Sequence, residues 1–384
     1  MGSGIDFAAA EAAFAESVDG TVGIEEEFAI VDPDSLDLVP RFEQMRDEAI
    51  KDADLATSVA GELIRSEIEI RSGRGEDIHH AQRLQAGFRG QLFTIAESQG
   101  LALAASGTHP WADYREQSII DTDHYRRVED DLRWVAWRNN TFSLHVHVGV
   151  NGADRAVKVC DRLRTVLPQL LAISSSSPFL EGRDSGLHSV RSQIFTKSFP
   201  RCGIPDHYGS WESFADYLQA LLAINSIVEY TQVWWSVRPH LAYGTVEVRI
   251  CDAQPTGPES DALAQLITAC VLQAARDEDE GRPVISPSRA LVEENFWRAI
   301  RYGTEGKLID FEAMTEFDSG GTLDRLLSWT EPVRSEQGIS PDFPEHNGTQ
   351  RQRAALAGGA TIREVYGDLL QTTQSTYAPK EAAS

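Results

Sequence analysis

Four short segments of this 384-residue chain place carboxylate, imidazole and guanidinium groups where a buried strand would carry apolar side chains. They read GIEEEFAIVD (23–32), SEIEIRSG (66–73), SLHVHVGV (143–150) and YGTVEVRICDAQ (243–254). Each is rich in Val, Ile or Phe, and side chains at i and i+2 of a strand share a face. Glu25 with Glu27, Glu67 with Glu69, His145 with His147, and Glu247 with Arg249 thus form four polar pairs, each on one face. The opposite faces, Ile24 with Phe28, Ile68 with Ile70, Val146 with Val148 and Val246 with Val248, supply a core. Many carboxylates cannot stay ionised together without counter-charge, so a sheet lined in this way is predicted to gather cations.

Taken singly, each pattern has a plainer reading. E-x-E is common on solvated sheet faces, H-x-H can be a hydrogen-bonded core pair, and E-x-R can be a salt bridge. Their recurrence on several strands is what points to a metal centre. Glu62 precedes Glu69 by seven residues, an odd separation that puts it on the wrong face of a regular strand. It joins the group only from a loop or across a bulge, which Gly61 permits. Parity does not choose between Glu67 and Glu69 as a ligand.

The elements that must position these groups follow from periodicity and turn chemistry. Helices are expected at 5–18, 41–52, 76–98, near 121–138 and at 211–224, with further strands at 101–110 and 226–237. VDPDSLDLVP reads as the turn of a hairpin. Asn151-Gly152-Ala153-Asp154 opens a helix running to about Ile173, with Asp154 as its cap. Residues 182–209 read as loop, carrying Arg183, Arg191 and Arg201, and the chain is mostly helical from 257 onward. The Ser174–Ser177 run before Pro178 reads as a helix end, with no serine marked for activation. Neither a repeat nor a Pro/Gly linker divides the chain, and the polar strands span 23–254, so one α+β domain is expected.

Composition sets the outer limits. Apolar residues make up 41% of the chain, with 8 Trp and 15 Phe, enough for an extensive core. A formal charge of −24 argues against nucleic-acid or anionic-membrane partners, which demand a basic face. The chain has no G-x-x-x-x-G-K-[ST] loop, no G-x-G-x-x-G after a strand, no H-E-x-x-H and no G-x-S-x-G elbow. None of the lysines sits in a Gly-rich loop, which leaves phosphate to Arg, backbone amides or metal ions. The first 40 residues lack Lys and Arg, and no apolar run approaches membrane length. With Cys160, Cys202, Cys251 and Cys270 widely spaced, a cytoplasmic protein with reduced thiols is expected.

In chain order, GIEEEFAIVD, SGTHPWADY, SLHVHVGV, SPFLEGRDSGLHSVRSQIF with FPRCGIP, and RPHLAYGTVEVRICDAQ resemble the type 2 glutamate-cysteine ligases of the carboxylate-amine ligase family, over about residues 20–285. The resemblance implies a glutamine-synthetase-like fold, a curved antiparallel sheet forming a funnel that holds ATP and divalent cations on its concave face. It implies metal ligation by Glu25, Glu27, Glu69, His145 and Glu247, with Glu62 added. Arg249 resembles a phosphate-facing catalytic arginine, and Arg238 one that holds phosphate or substrate carboxylate. Arg191 and Arg201, in the segment bordering the funnel, are expected to supply at least one contact to the acidic substrate. Two departures stand out: Ser143 replaces a frequent Gly, and Leu241-Ala242 replaces a more usual Pro-Arg beside Arg238.

The implied reaction joins ATP, L-glutamate and L-cysteine into γ-glutamylcysteine, ADP and phosphate through a γ-glutamyl phosphate. Mg2+ is the expected cation, and an imidazole ligand also admits Mn2+. Alternatives are a ligase using a different amine, a metal-dependent hydrolase on the same residues, and a non-catalytic nucleotide or metal sensor. The expected partners are small-molecule substrates, and a homo-oligomer is compatible. The implied layout is a single catalytic domain, with a sheet-forming core at about 20–285, a helical section at about 286–375 and a polar tail at 376–384.

Overall fold

Alternation of β-branched and polar residues builds one wholly antiparallel sheet of seven strands in the computed structural model, which describes residues 4–378. Its strands are β1 (Val22–Val31), β2 (Val59–Ala60), β3 (Glu67–Arg71), β4 (Ala102–Ala104), β5 (Ser143–Gly149), β6 (Val237–His240) and β7 (Thr245–Asp252). The spatial order is β6-β7-β5-β1-β3-β2, and β4 pairs with the far end of β1. Mixed helix and antiparallel sheet is the fold class read from the sequence.

Register turns sequence parity into a site. Glu25 lies opposite His145 and Arg71, Glu27 opposite Glu69, and Glu247 opposite both His147 and Arg238. With a side-chain period of two, this one register sends all of these groups to the same face. On the other face Ile24, Phe28, Ile68, Ile70, Val146, Val148, Val246 and Val248 are each no more than 1% exposed. Burial of each is worth about 1.5–3 kcal/mol.

Helices α1 (Ile78–Ser98), Ala153–Leu163 and α4 (Gly257–Asp279) pack on this apolar side. α1 starts at Asp77, whose side chain accepts from the His80 amide, and it buries Ile78, Ala81, Leu92, Phe93 and Ala96. α4 is capped by Thr256, and α5 (Ile362–Tyr377) by a Thr361/Glu364 capping box.

One carboxylate breaks the apolar face. Glu26, between the two site glutamates of β1, accepts from Arg89 Nε at 2.6 Å and from Gln85 Nε2 at 2.8 Å, and also bonds Ser260 Oγ. Arg89 reaches Asp261 at 2.9 Å and lies 5.1 Å from the Tyr377 ring centroid. β1 is thereby tied to α1, α4 and α5.

Several sequence expectations are corrected. The helix after β5 starts without a side-chain cap, since Asp154 accepts from the Trp211 amide, and it breaks at residues 164–166. The chain resumes as Leu167–Ser174 with Pro168 in its first turn, where a missing N–H costs nothing. Residues 182–209 are not all loop, because Ser189 caps helix α3 (Val190–Ser198). Arg133, at φ 50°, splits the expected 121–138 helix into α2 (Asp123–Leu132) and Trp134–Trp137. The 101–110 strand shrinks to β4, and the 226–237 strand breaks into a 3-10 turn at Tyr230–Gln232, a short strand at Trp234–Trp235 and the start of β6. The hairpin after β1 closes through a single bridge, Val31 to Leu38. Among the C-terminal helices the hairpin Lys307–Asp310/Thr315–Asp318 had no sequence signal. α5 carries residues 376 and 377 of the expected tail, and 379–384 lie outside the described residues.

Candidate active site

A cavity of about 400 Å³ opens on the polar face of the sheet. Glu25, Glu27, Glu62, Glu69, His145 and Glu247 all line it, together with Arg191, Arg238 and Arg249. Three sets of groups bring potential ligand atoms within 4.8 Å of one another: Glu25, Glu69 and His145; Glu25, His147 and Glu247; and Glu27, Glu62 and Glu69. Glu62 enters from the loop before β3, as its odd spacing required. Its segment is held by Tyr125 of α2, whose hydroxyl donates to the Gly61 carbonyl.

Hydrogen bonds orient these groups. Ser143 Oγ donates to Glu27 Oε2 at 2.6 Å and lies 2.7 Å from His145 Nε2. His145 Nδ1 is 3.3 Å from Glu25. His147 Nδ1 pairs with Thr245 Oγ1 at 2.9 Å, while its Nε2 stands 3.4 Å from Glu25 and 3.8 Å from Glu247.

Electrostatics divide the carboxylates into two classes. Burial, aided by Glu27 and Glu25, pushes Glu62 up to about 8 against the pull of Arg249. Burial and mutual repulsion likewise hold Glu67 and Glu69 well above the usual carboxylate range. Burial opposes ionisation of Glu25 and Glu247 as well, yet His147 and His145 hold Glu25 well below that range. Arg238, Arg249 and His147 do the same for Glu247. Burial and Arg249 lower His145, whereas Glu25 and Glu247 overcome the burial of His147 and raise it.

These residues fit a divalent cation. His147 Nε2 and Glu67 Oε2 are buried without a hydrogen-bond partner, and burial with mutual repulsion pushes Glu67, Glu62 and Glu69 above the usual carboxylate range. An all-oxygen donor set suits Mg2+, and the imidazoles extend it to Mn2+.

The arginines face the same space from β6, β7 and α3. Arg238 Nε donates to Glu247 Oε2 at 2.6 Å, and its Nη1 donates to the carbonyls of Val233 and Thr231 at 2.6 and 3.2 Å. Arg249 sits where the β5–β7 register shifts between Val248 and Cys251, and its Nη1 bonds Glu247. Arg191 donates to the carbonyls of Ile250 and Arg249 at 3.0 and 3.2 Å and lies 3.6 Å from Asp252. The Nε atoms of both Arg191 and Arg249 are buried without a partner. Arg201 does not line the cavity itself but sits behind two residues that do: its Nε donates to Gln232 O at 3.0 Å, and its guanidinium lies 5.6 Å from the Trp234 ring centroid.

Some lining groups went unread in the sequence. Arg71 continues the Glu67, Glu69 parity on β3 and was legible in E-x-E-x-R. Tyr125, Asn139 and Thr141 arrive from helix and loop, where no period marks them. The Ser174–Ser177 run is structural: Ser176 N and Ser177 Oγ donate to buried Asp252 at 2.9 and 2.7 Å. A second cavity, about 490 Å³, adjoins the first through Glu25, Arg71, His147 and Tyr243, with Val22, Ile24, Ala13 and Ala242 in its wall.

Residues 21–341 match the profile described as Glutamate-cysteine ligase family 2 (GCS2). A protein of Solibacter usitatus named "Putative glutamate--cysteine ligase 2" is 36% identical over 374 residues, covering 95% of this chain and 96% of its own. One of Rubrobacter xylanophilus named "Putative glutamate--cysteine ligase 2-3" is 34% identical over 371 residues, covering 94% and 99%. In three dimensions the chain is similar to glutamate-cysteine ligase of Francisella tularensis, solved in complex with AMP, with a TM-score of 0.67 at 11% identity over 95% of this chain and 90% of that one. With the profile matched across most of its length and relatives aligned nearly end to end, this chain belongs to glutamate-cysteine ligase family 2.

Proposed function

We propose that this chain is an ATP-dependent carboxylate-amine ligase that phosphorylates the γ-carboxylate of L-glutamate and passes the acyl group to an amine, with L-cysteine the first candidate. The observation that carries this reading is the join of three carboxylate and imidazole groups with two buried, unpartnered guanidinium Nε donors in one cavity. A carboxylate is a poor acyl donor until its oxygen becomes phosphate, and phosphoryl transfer asks the protein mainly for positioning and charge neutralisation.

Glu25, Glu27, Glu62, Glu69, His145 and Glu247 would hold Mg2+, which neutralises charge on the phosphate oxygens when bound. Arg249 directs its free Nε at the moving phosphoryl group, and Glu247 fixes its fork. Arg238 positions Glu247. Arg191 offers its free Nε to the glutamate carboxylate. Ala13, Ala242 and the exposed ring of Tyr243 on the adjoining cavity suit the flat base of ATP, next to Glu25 and His147.

The four cysteines, all buried and unpaired, are in keeping with work in a reducing cytosol. ADP release across a panel of amino acids and amines, with mass spectrometry of the products, tests the proposal. γ-Glutamylcysteine formation is the expected result. ADP release indifferent to every acceptor would remove cysteine, and turnover without ATP would turn the reading toward a hydrolase.

A further inference from the structure

The ligase reading leaves one chemical task unassigned. An alkylamine reaches the site as its ammonium ion, which has no lone pair, so a group near the acyl phosphate must take a proton first. His124 of α2 and Glu229 both line the first cavity and not the adjoining one, with His124 Nδ1 3.0 Å from Glu229 Oε1. Their side chains are 44% and 39% exposed, so as an ion pair they add little to stability. A carboxylate beside Nδ1 does, however, favour the tautomer with its proton there, which leaves Nε2 as a lone-pair acceptor. His124 Nε2 makes no hydrogen bond among the described residues. The charge of Glu62, Glu67, Glu69 and Arg71 reaches the hydroxyl of the neighbouring Tyr125.

Each half of the pair is anchored to one part of the machinery. The neighbour of His124, Tyr125, donates to Gly61 O beside Glu62. The turn that begins at Glu229 is held by Arg238, which donates to Thr231 O and Val233 O while gripping Glu247. Gln232 closes that turn, donating its amide to Glu229 O at 3.3 Å and accepting from the Val228 amide at 2.7 Å. An ion pair with no stabilising duty is thus held at a fixed place on the cavity wall.

We infer that His124, oriented by Glu229, removes the proton from the incoming amine. The ammonium proton passes to His124 Nε2 and on to solvent. The freed nitrogen pair forms the C–N bond to the acyl carbon, the C–O bond to phosphate breaks with its electron pair on oxygen, and the second N–H proton leaves with the phosphate. His124 is the catalytic residue and Glu229 a positioning residue.

This inference rests on the proposed ligase activity, and nucleophile choice separates the two. Hydroxylamine is largely neutral at pH 7.5 and needs no base, whereas L-cysteine and propylamine arrive protonated. For H124Q we expect kcat to fall about 10²-fold with cysteine or propylamine while hydroxylamine turnover and the KM for ATP stay within about twofold. E229Q should show the same split, smaller in size. Equal losses with all three nucleophiles, no loss with any, or a wild type that uses hydroxylamine but neither alkylamine would each overturn the role of His124. A wild type that forms no ADP with any nucleophile would overturn the ligase reading itself.

Discussion

Arg238 and Glu247 form a buried two-pronged ion pair across β6 and β7, Nε to Oε2 at 2.6 Å and Nη2 to Oε1 at 3.3 Å. Arg249 bonds the same carboxylate from two residues away. These guanidinium groups hold Glu247 well below the usual carboxylate range before any cation arrives, whereas burial and mutual repulsion push Glu62, Glu67 and Glu69 above it.

This contrast gives opposite signs for two substitutions. Glu247→Gln leaves two buried guanidinium groups short of their counter-charge and should destabilise the metal-free protein by about 3–5 kcal/mol. Glu69→Gln relieves repulsion and should leave the metal-free melting temperature unchanged or higher. Both should abolish Mg2+-dependent ADP release. Thermal melts in EDTA decide the first part, and a higher melting point for Glu247→Gln would refute it.

Arg249→Lys keeps the charge but loses the planar fork and its free Nε. We expect kcat to fall by about 10²-fold or more with little change in the KM for ATP, the scale of one preorganised donor. Steady-state kinetics check this. Intact kcat with lowered thermal stability would reduce Arg249 to a salt-bridge partner of Glu247.

The contribution of Glu62, Glu67 and Glu69 to stability without metal should fall as pH rises. Folded Glu62 keeps its proton up to about pH 8, whereas in the unfolded chain it is released near the ordinary value of 4.5. Between those values the folded state binds more protons, so unfolding gains as pH rises. Glu67 and Glu69 act in the same direction, while the depressed Glu25 and Glu247 contribute above the ordinary value and lose that contribution only in acid. Melts in EDTA from pH 5 to 8, repeated with Mg2+, should show a metal-induced gain that grows with pH. A gain independent of pH would contradict it.

Arg191→Lys and Arg201→Ala should separate cleanly. Loss of the Arg191 fork removes the free Nε and raises the KM for glutamate by about tenfold at constant KM for ATP, the scale of one charge-assisted hydrogen bond. Arg201→Ala, stacked on Trp234 outside the cavity, should leave both constants unchanged. An unchanged glutamate KM in the Arg191 variant would remove its substrate role.

The sheet and its polar face were legible because a strand has only two sides. Once Ile24 and Phe28 are assigned inward, Glu25 and Glu27 have one place to go, and the same parity serves β3, β5 and β7. Residues that arrive by tertiary docking carry no such mark. His124 lies on a short polar helix and Glu229 in an irregular turn, and nothing in either segment's pattern says they meet. Arg201 carried no such mark either: it stands at φ 54°, with its guanidinium against Trp234, a residue that lines the cavity, and it does not line the cavity itself. Glu62 was readable only as an anomaly of spacing, which its loop position then resolved.

Three consecutive glutamates on β1 alternate between two separate sinks of charge, and this has a consequence for folding fidelity. If β1 docked one residue out of step, Glu25 and Glu27 would both turn toward Arg89, and Glu26 alone would reach the cavity. A single guanidinium would then face two desolvated carboxylates, so the misregistered chain carries a penalty that uniform Val and Ile could never impose. The three glutamates together act as a proofreader of strand alignment, and a Glu26→Leu chain, which leaves Arg89 buried without its carboxylate partner, would be expected to lose stability in the register that remains.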